Sequence, residues 1–139
     1  MQNHELATDY VTRARIRLRA LDVLYEAESW ADVVPESQEV VELALKGLLL
    51  ASGIEPPRIH DVSAVLLTER ERLPAALHPR LAELATISKS LRRDRELSFY
   101  GAKDLTPSSF YSQEDATRAR QDATTTVSAV EPHVLQCSS

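Results

Sequence analysis

Cysteine is nearly absent from this chain: Cys137 stands alone, two places before the last residue. That excludes a disulfide framework and any cysteine-rich metal pattern and fits a reducing compartment, so Cys137 is expected to be incidental. Glycine is almost as scarce, with 3 in 139 residues, and no Gly-rich phosphate loop can be built from them. Long apolar runs are missing too. The longest, Leu43 to Ala51, is interrupted by Lys46 and falls well short of the ~20 residues a membrane span needs. The opening "MQNHELATDY" has neither the basic start nor the apolar block of a signal peptide. Positive charge is not in excess: 16 Lys and Arg stand against 21 Asp and Glu, a net charge of -5. With a pI near 5.4, this argues against a general-purpose nucleic-acid binder, although a local basic cleft remains open. The expectation is a soluble, cytoplasmic protein with no membrane partner.

What is present is helical periodicity. Val11, Ala14, Leu18, Leu21 and Tyr25 step by three and four, which predicts an amphipathic helix over Glu5 to Glu28. A second helix, from Ala31 to Ser52, is apolar almost all round its latter half and is expected to be central. Gly47 inside it costs about 1 kcal/mol against Ala, so it marks a close approach by a neighbouring helix. Gly53 and Gly101 both fall where a helix takes a left-handed terminating residue. Pro35 suits a first turn or a bend. "GIEPPRIHD" reads as a connection, with Asp61 as N-cap of a short helix from Val62 to about Arg72 that Pro74 closes. Leu81, Leu84, Ser88 and Leu91 predict a fourth helix over Pro79 to Tyr100. Ser112 with Asp115 resembles a capping box, opening a last helix whose inner stripe is Ala116, Ala119, Ala123, Val127 and Val130, limited by Pro132. With 43% hydrophobic residues the chain carries one core. The fold class is all-α, an antiparallel bundle of about five helices forming a single domain over 1–139.

Catalytic and metal motifs of the common kinds, such as H-E-x-x-H or the G-x-S-x-G elbow, are missing. No metal site, cofactor or catalytic residue is assigned. His4, His60, His78 and His133 show no i, i+4 pairing; His60, beside Asp61 in "RIHD", is best read as a loop anchor. Arg13, Arg15, Arg17 and Arg19 flank both edges of the first helix's apolar stripe, as a solvated rim does. The stretch "LRRDRELSFYG", Leu91 to Gly101, is different. Ion pairs from Arg92 and Arg93 to Glu96 account for its charges, worth a few tenths of a kcal/mol. They do not account for Phe99 and Tyr100 in succession. Arg93 and Tyr100 lie about two turns apart on one face, where they could meet phosphate and base.

Three segments together, "DYVTRARIRLRALDVLYEAESWADVVPESQEVVELALKGLLLASGIEPPRIHD", "LRRDRELSFYG" and "PSSFYSQEDATRARQDA", resemble the HEPN domain, named for higher eukaryotes and prokaryotes nucleotide-binding. The resemblance covers about Ala7 to Val130. The family's chemical motif is an arginine, usually followed by a polar residue, then a histidine four to six residues on, often with a tyrosine two further. Here Arg93, Asp94 and Tyr100 hold the arginine, polar and tyrosine places, and Ser98 stands where the histidine would be.

In active members the resemblance implies a metal-independent ribonuclease, whose dimer brings two motifs together across a cleft. A serine hydroxyl does not titrate near pH 7 and cannot replace the histidine in proton transfer, so cleavage is expected to be absent or weak. What remains is a nucleotide- or RNA-binding constellation of Arg93, Asp94, Arg95, Ser98 and Tyr100, in a homodimer working with a nucleotidyltransferase, as toxin–antitoxin members of the family do. Tyr100 then becomes the acceptor for transferred AMP. The alternative is a ribonuclease with a substituted histidine, recruiting His60 or Tyr100. On a straight helix Arg93 and Ser98 point about 140° apart, so a shared site needs a bend or a second subunit.

Overall fold

A computed structural model describes the backbone over residues 2–100 and 111–135, and the side chains over 3–90 and 111–135. Five α-helices appear in that range, with no strand among the described residues: α1 (Gln2–Glu26), α2 (Trp30–Ala51), α3 (Ser63–Thr68), α4 (Leu81–Tyr100) and α5 (Gln113–Val134). The all-α fold follows from the stripes. Val11, Ala14 and Leu21 of α1, Leu45, Leu48 and Leu49 of α2, and Ala116, Ala119, Ala123, Val127 and Val130 of α5 are buried in one core. α1, α2 and α5 pack against one another, α4 lies against α2, and α3 lies against α4.

Paired residues give the directions. Arg17 meets Glu36 at 2.9 Å, and a side chain at Gly47 would meet Val11, so α1 and α2 are antiparallel. Arg15 meets Glu131 at 3.1 Å and Tyr25 meets Thr117 at 2.6 Å, so α1 and α5 are antiparallel as well, and α2 runs with α5. The arginine rim thus divides as expected, one edge reaching each neighbour.

Chain reversals are built from local hydrogen bonds. At the end of α2, Gly53 has φ of 75°, its N–H reaches the Leu50 carbonyl at 3.1 Å, and the Ile54 N–H reaches Leu49 at 2.8 Å. This is the paired 6→1 and 5→2 closure that favours glycine. The same closure ends α1, where Glu28 rather than glycine takes φ of 57° and Ser29 bonds back to Leu24 at 3.0 Å. α1 therefore stops at Glu26, not Glu28. Its N-terminal end in turn begins at Gln2, three residues before the expected start.

Three other expectations need correction. The helix expected over Val62 to Arg72 ends at Thr68 and tightens into a 3₁₀ turn over Arg70–Arg72. The reason lies ahead of it: Leu73, buried and preceding Pro74, is extended at φ −88°, ψ 157°, as a residue before proline prefers. The fourth helix is α-helical only from Leu81, with a 3₁₀ segment over Ala75–Arg80 holding Pro79. Pro132 does not limit α5, which continues to Val134. Proline removes one N–H, but the Leu135 N–H still reaches the Glu131 carbonyl at 2.9 Å, and the fully buried Val134 anchors the last turn.

Ser112 does form the capping box with Asp115: each side chain accepts the other residue's backbone N–H, at 3.2 and 2.9 Å. Across α1 and α5 an aromatic and ionic staple closes this end of the bundle. The Arg120 guanidinium lies 4.5 Å from the centre of the Tyr25 ring and donates to Asp22, while Trp30 meets the same ring edge-on at 5.1 Å. The Thr117 hydroxyl and the Gln113 amide at the phenol oxygen, with Arg120 beside them, hold the Tyr25 pKa below its usual value.

Candidate functional site

The motif-bearing helix is fixed upstream by its own apolar stripe. Leu81, Leu84, Ala85 and Ile87 of α4 are buried, and Ser88 is buried with them. Ser88 ties α4 to the connection that precedes α3. Its hydroxyl accepts the Val62 N–H at 3.1 Å and donates to Asp61 at 3.2 Å, while the same Asp61 oxygen accepts the Ser63 N–H at 2.9 Å. Asp61 therefore braces α4 as well as the start of α3, but it is not the expected N-cap: α3 begins at Ser63, and Val62 takes the N-cap place with no side-chain cap. At 1.5 Å per residue, Arg93 sits roughly 7.5 Å along the axis from this clamp.

The α-helical backbone continues from Leu81 to Tyr100, so Arg93, Asp94, Arg95, Ser98 and Tyr100 lie on a helix as expected. Their side chains lie outside the described residues, as do those of Leu91, Arg92, Leu97 and Phe99. Gly101 and the segment up to residue 110 fall outside as well. The groove that borders the stretch is described. It measures about 460 Å³ between α4 and α5 and is lined by Glu83, Thr86, Ile87, Ser90, Arg118 and Asp122.

His60 proves to be an anchor, though not through its neighbour Asp61. Its Nδ1 lies 2.7 Å from Oε1 of Glu42, a largely buried carboxylate on α2, whose other oxygen accepts from Lys46 at 2.8 Å. With Glu42 ionised, the proton of a neutral His60 belongs on Nδ1, leaving Nε2 an acceptor. Sequence reading missed this cluster because Glu42 lies 18 residues upstream on α2, whereas His60 lies beyond the end of that helix, where no helical spacing relates the two. A cavity of about 520 Å³ lies next to it, with Tyr10, Lys46, Leu50, Glu55, Pro57 and Arg58 in its lining. Its cations face carboxylates of equal number, Lys46 paired with Glu42 and Arg58 sharing the lining with Glu55. It offers no surplus charge to an anion.

Among the described residues no three His, Cys, Asp or Glu side chains cluster as metal ligands, and no helix is long and apolar enough to cross a membrane. The family model described as HEPN domain matches residues 7–133, nearly the whole chain. No curated protein and no solved structure matches significantly.

Proposed function

The chain belongs to the HEPN domain family, and on that premise we propose that it is a noncatalytic nucleotide- or RNA-binding partner module of the cytoplasm. The carrying observation is the motif itself: Arg93, Asp94 and Tyr100 hold the family's arginine, polar and tyrosine places, and Ser98 replaces the histidine. Arg93, with Arg95 beside it, grips phosphate, and Tyr100 receives AMP from a nucleotidyltransferase partner in a toxin–antitoxin setting. The whole chain, 1–139, acts as one such domain and pairs as a homodimer that joins two motifs. Support from the fold is the unbroken helical backbone to Tyr100 and the Ser88–Asp61 clamp behind it, since a site held on a braced helix keeps its geometry.

The test is binding of a labelled single-stranded RNA and of AMP by Arg93→Ala. One charge-assisted contact is worth about 1.5 to 3 kcal/mol, so affinity is expected to fall by roughly 10- to 100-fold, with a flatter salt dependence. Unchanged affinity and salt slope would overturn the reading.

The Glu42–His60 pair supports a second reading. A carboxylate that holds Nδ1–H leaves Nε2 as the acceptor nitrogen, the arrangement by which a histidine serves proton transfer. A ribonuclease that recruited His60 would cut RNA as the natural chain and lose that cleavage in His60→Ala.

A further inference from the structure

The face of the bundle built by α1 and α5 carries a feature that the motif on α4 does not explain. Arg15, Leu18, Arg19 and Asp22 of α1 and Arg120 and Thr124 of α5 line an open groove of about 290 Å³. Three guanidinium groups and one carboxylate share it, in a chain whose overall charge is -5. Ion pairs neutralise two of the three positive charges and leave one in excess, that of Arg19, but they use few of the donors. Arg15 spends one nitrogen on Glu131 and Arg120 one on Asp22, and both stay partly exposed, at 48% and 35%. Arg19 is exposed and has no hydrogen-bond or ion-pair partner among the described residues. A guanidinium carries five N–H donors in a planar fork, so most of the donors in the groove remain available.

The placement of these groups is ordered. Arg15 and Arg19 stand one turn apart on α1, about 6 Å along the axis, a distance on the scale of successive phosphates in a nucleic acid strand. Arg120 faces them from α5, pinned by the Tyr25 ring and Asp22. Pinning lowers the side-chain entropy lost when the fork takes an anion. The groove is too small and open to enclose a whole small ligand, which needs roughly 300 to 1,000 Å³ of largely closed space. It suits an anionic chain passing over the surface, and paired phosphate oxygens are what an arginine fork matches best.

We infer that the α1–α5 groove is a second phosphate subsite, which takes the phosphodiester backbone of an RNA strand through Arg19, Arg15 and Arg120. The inference rests on the proposed RNA-binding role but uses residues remote in sequence from Arg93. In this arrangement the motif holds one part of the strand and the groove steers another, so strand affinity depends on both and mononucleotide affinity on the motif alone.

The experiment measures fluorescence anisotropy of a labelled single-stranded RNA, and of a labelled AMP, against the full chain and its Arg19→Ala, Arg19→Glu and Arg93→Ala variants over a salt series. Arg19 has no partner to lose, so its replacement leaves the fold intact, which circular dichroism checks. RNA affinity is expected to fall about three- to tenfold in Arg19→Ala and further in Arg19→Glu, with the salt slope reduced by about 0.7 for the one phosphate contact removed. AMP affinity should not change in either. If Arg93→Ala weakens RNA binding while Arg19→Glu does not, the subsite is refuted and the function of the motif stands. If Arg19→Glu weakens RNA binding while Arg93→Ala does not, the subsite stands and the motif reading fails. Loss of AMP affinity in Arg19→Glu, in step with RNA, would make the groove a mononucleotide site and overturn the strand assignment. Failure of the unaltered chain to bind RNA at low salt overturns both.

Discussion

Replacing Gly47 by Ala sets two calculable effects against each other. Alanine is the better helix former, so a solvent-facing glycine in mid-helix would gain about 1 kcal/mol from the change. Gly47 faces α1 instead. A Cβ built there stands 2.7 Å from Val11 Cγ2, 3.2 Å from the Ala7 carbonyl oxygen and 3.3 Å from Tyr10 Cβ. Val11 is β-branched and fully buried, hence stiff at χ1, and the Ala7 oxygen belongs to helical backbone. Neither can yield without moving α1 as a body. Overpacking of this kind costs typically 1–3 kcal/mol, and a contact this short belongs in the upper part of that range. The net expectation for Gly47→Ala is a loss of about 1–2 kcal/mol in urea unfolding. That corresponds to a melting temperature lower by roughly 3–7 °C for a chain of this size. Val11→Ala removes the atom in the way, so the double variant should lose less than the sum of the two single losses by about 1 kcal/mol. If Gly47→Ala is instead stabilised by the full propensity gain, α1 and α2 are not in contact at Gly47 and the close approach is wrong.

Two further outcomes are expected. Glu28 is exposed at a left-handed position that glycine fills without a Cβ penalty, so Glu28→Gly should raise stability by about 0.5–1 kcal/mol in the urea midpoint, whereas Gly53→Ala should lower it. Tyr100, if it is the AMP acceptor, should appear adenylylated by mass spectrometry after co-expression with a cognate nucleotidyltransferase; a persistently unmodified peptide counts against that role.

The parts of this fold legible in the sequence are those that a local rule governs. The steps of three, four and seven residues that separate Val11, Ala14 and Leu21, and Ala116, Ala119 and Ala123, reported buried faces because helical geometry admits no other placement for them. Gly47, Gly53 and the Ser112–Asp115 pair were legible because each performs a task few residue types can perform. Where a residue type was atypical for its task, the reading slipped. Glu28 ends α1 in a glycine conformation, and Pro132 sits inside a helix that burial of Val134 carries past it. Long-range pairings carry no periodic signal at all. Arg120 finds Asp22 from 98 residues away and His60 finds Glu42 across the loop, so both the arginine groove and the histidine–carboxylate pair emerge only in three dimensions. For the motif the order is reversed: Arg93, Ser98 and Tyr100 are read from sequence, and the structure supplies the helix on which they sit.

The central claim is that Ser98 leaves a binding module in place of a nuclease. Its most direct measurement compares cleavage of single-stranded RNA, without added metal, by the natural chain and by Ser98→His. The account predicts intact RNA with the natural chain and measurable cutting with Ser98→His, since only the imidazole restores a group that titrates near pH 7. Cleavage by the natural chain as fast as by Ser98→His would contradict it and assign the proton transfer to another residue, with His60 the first to replace.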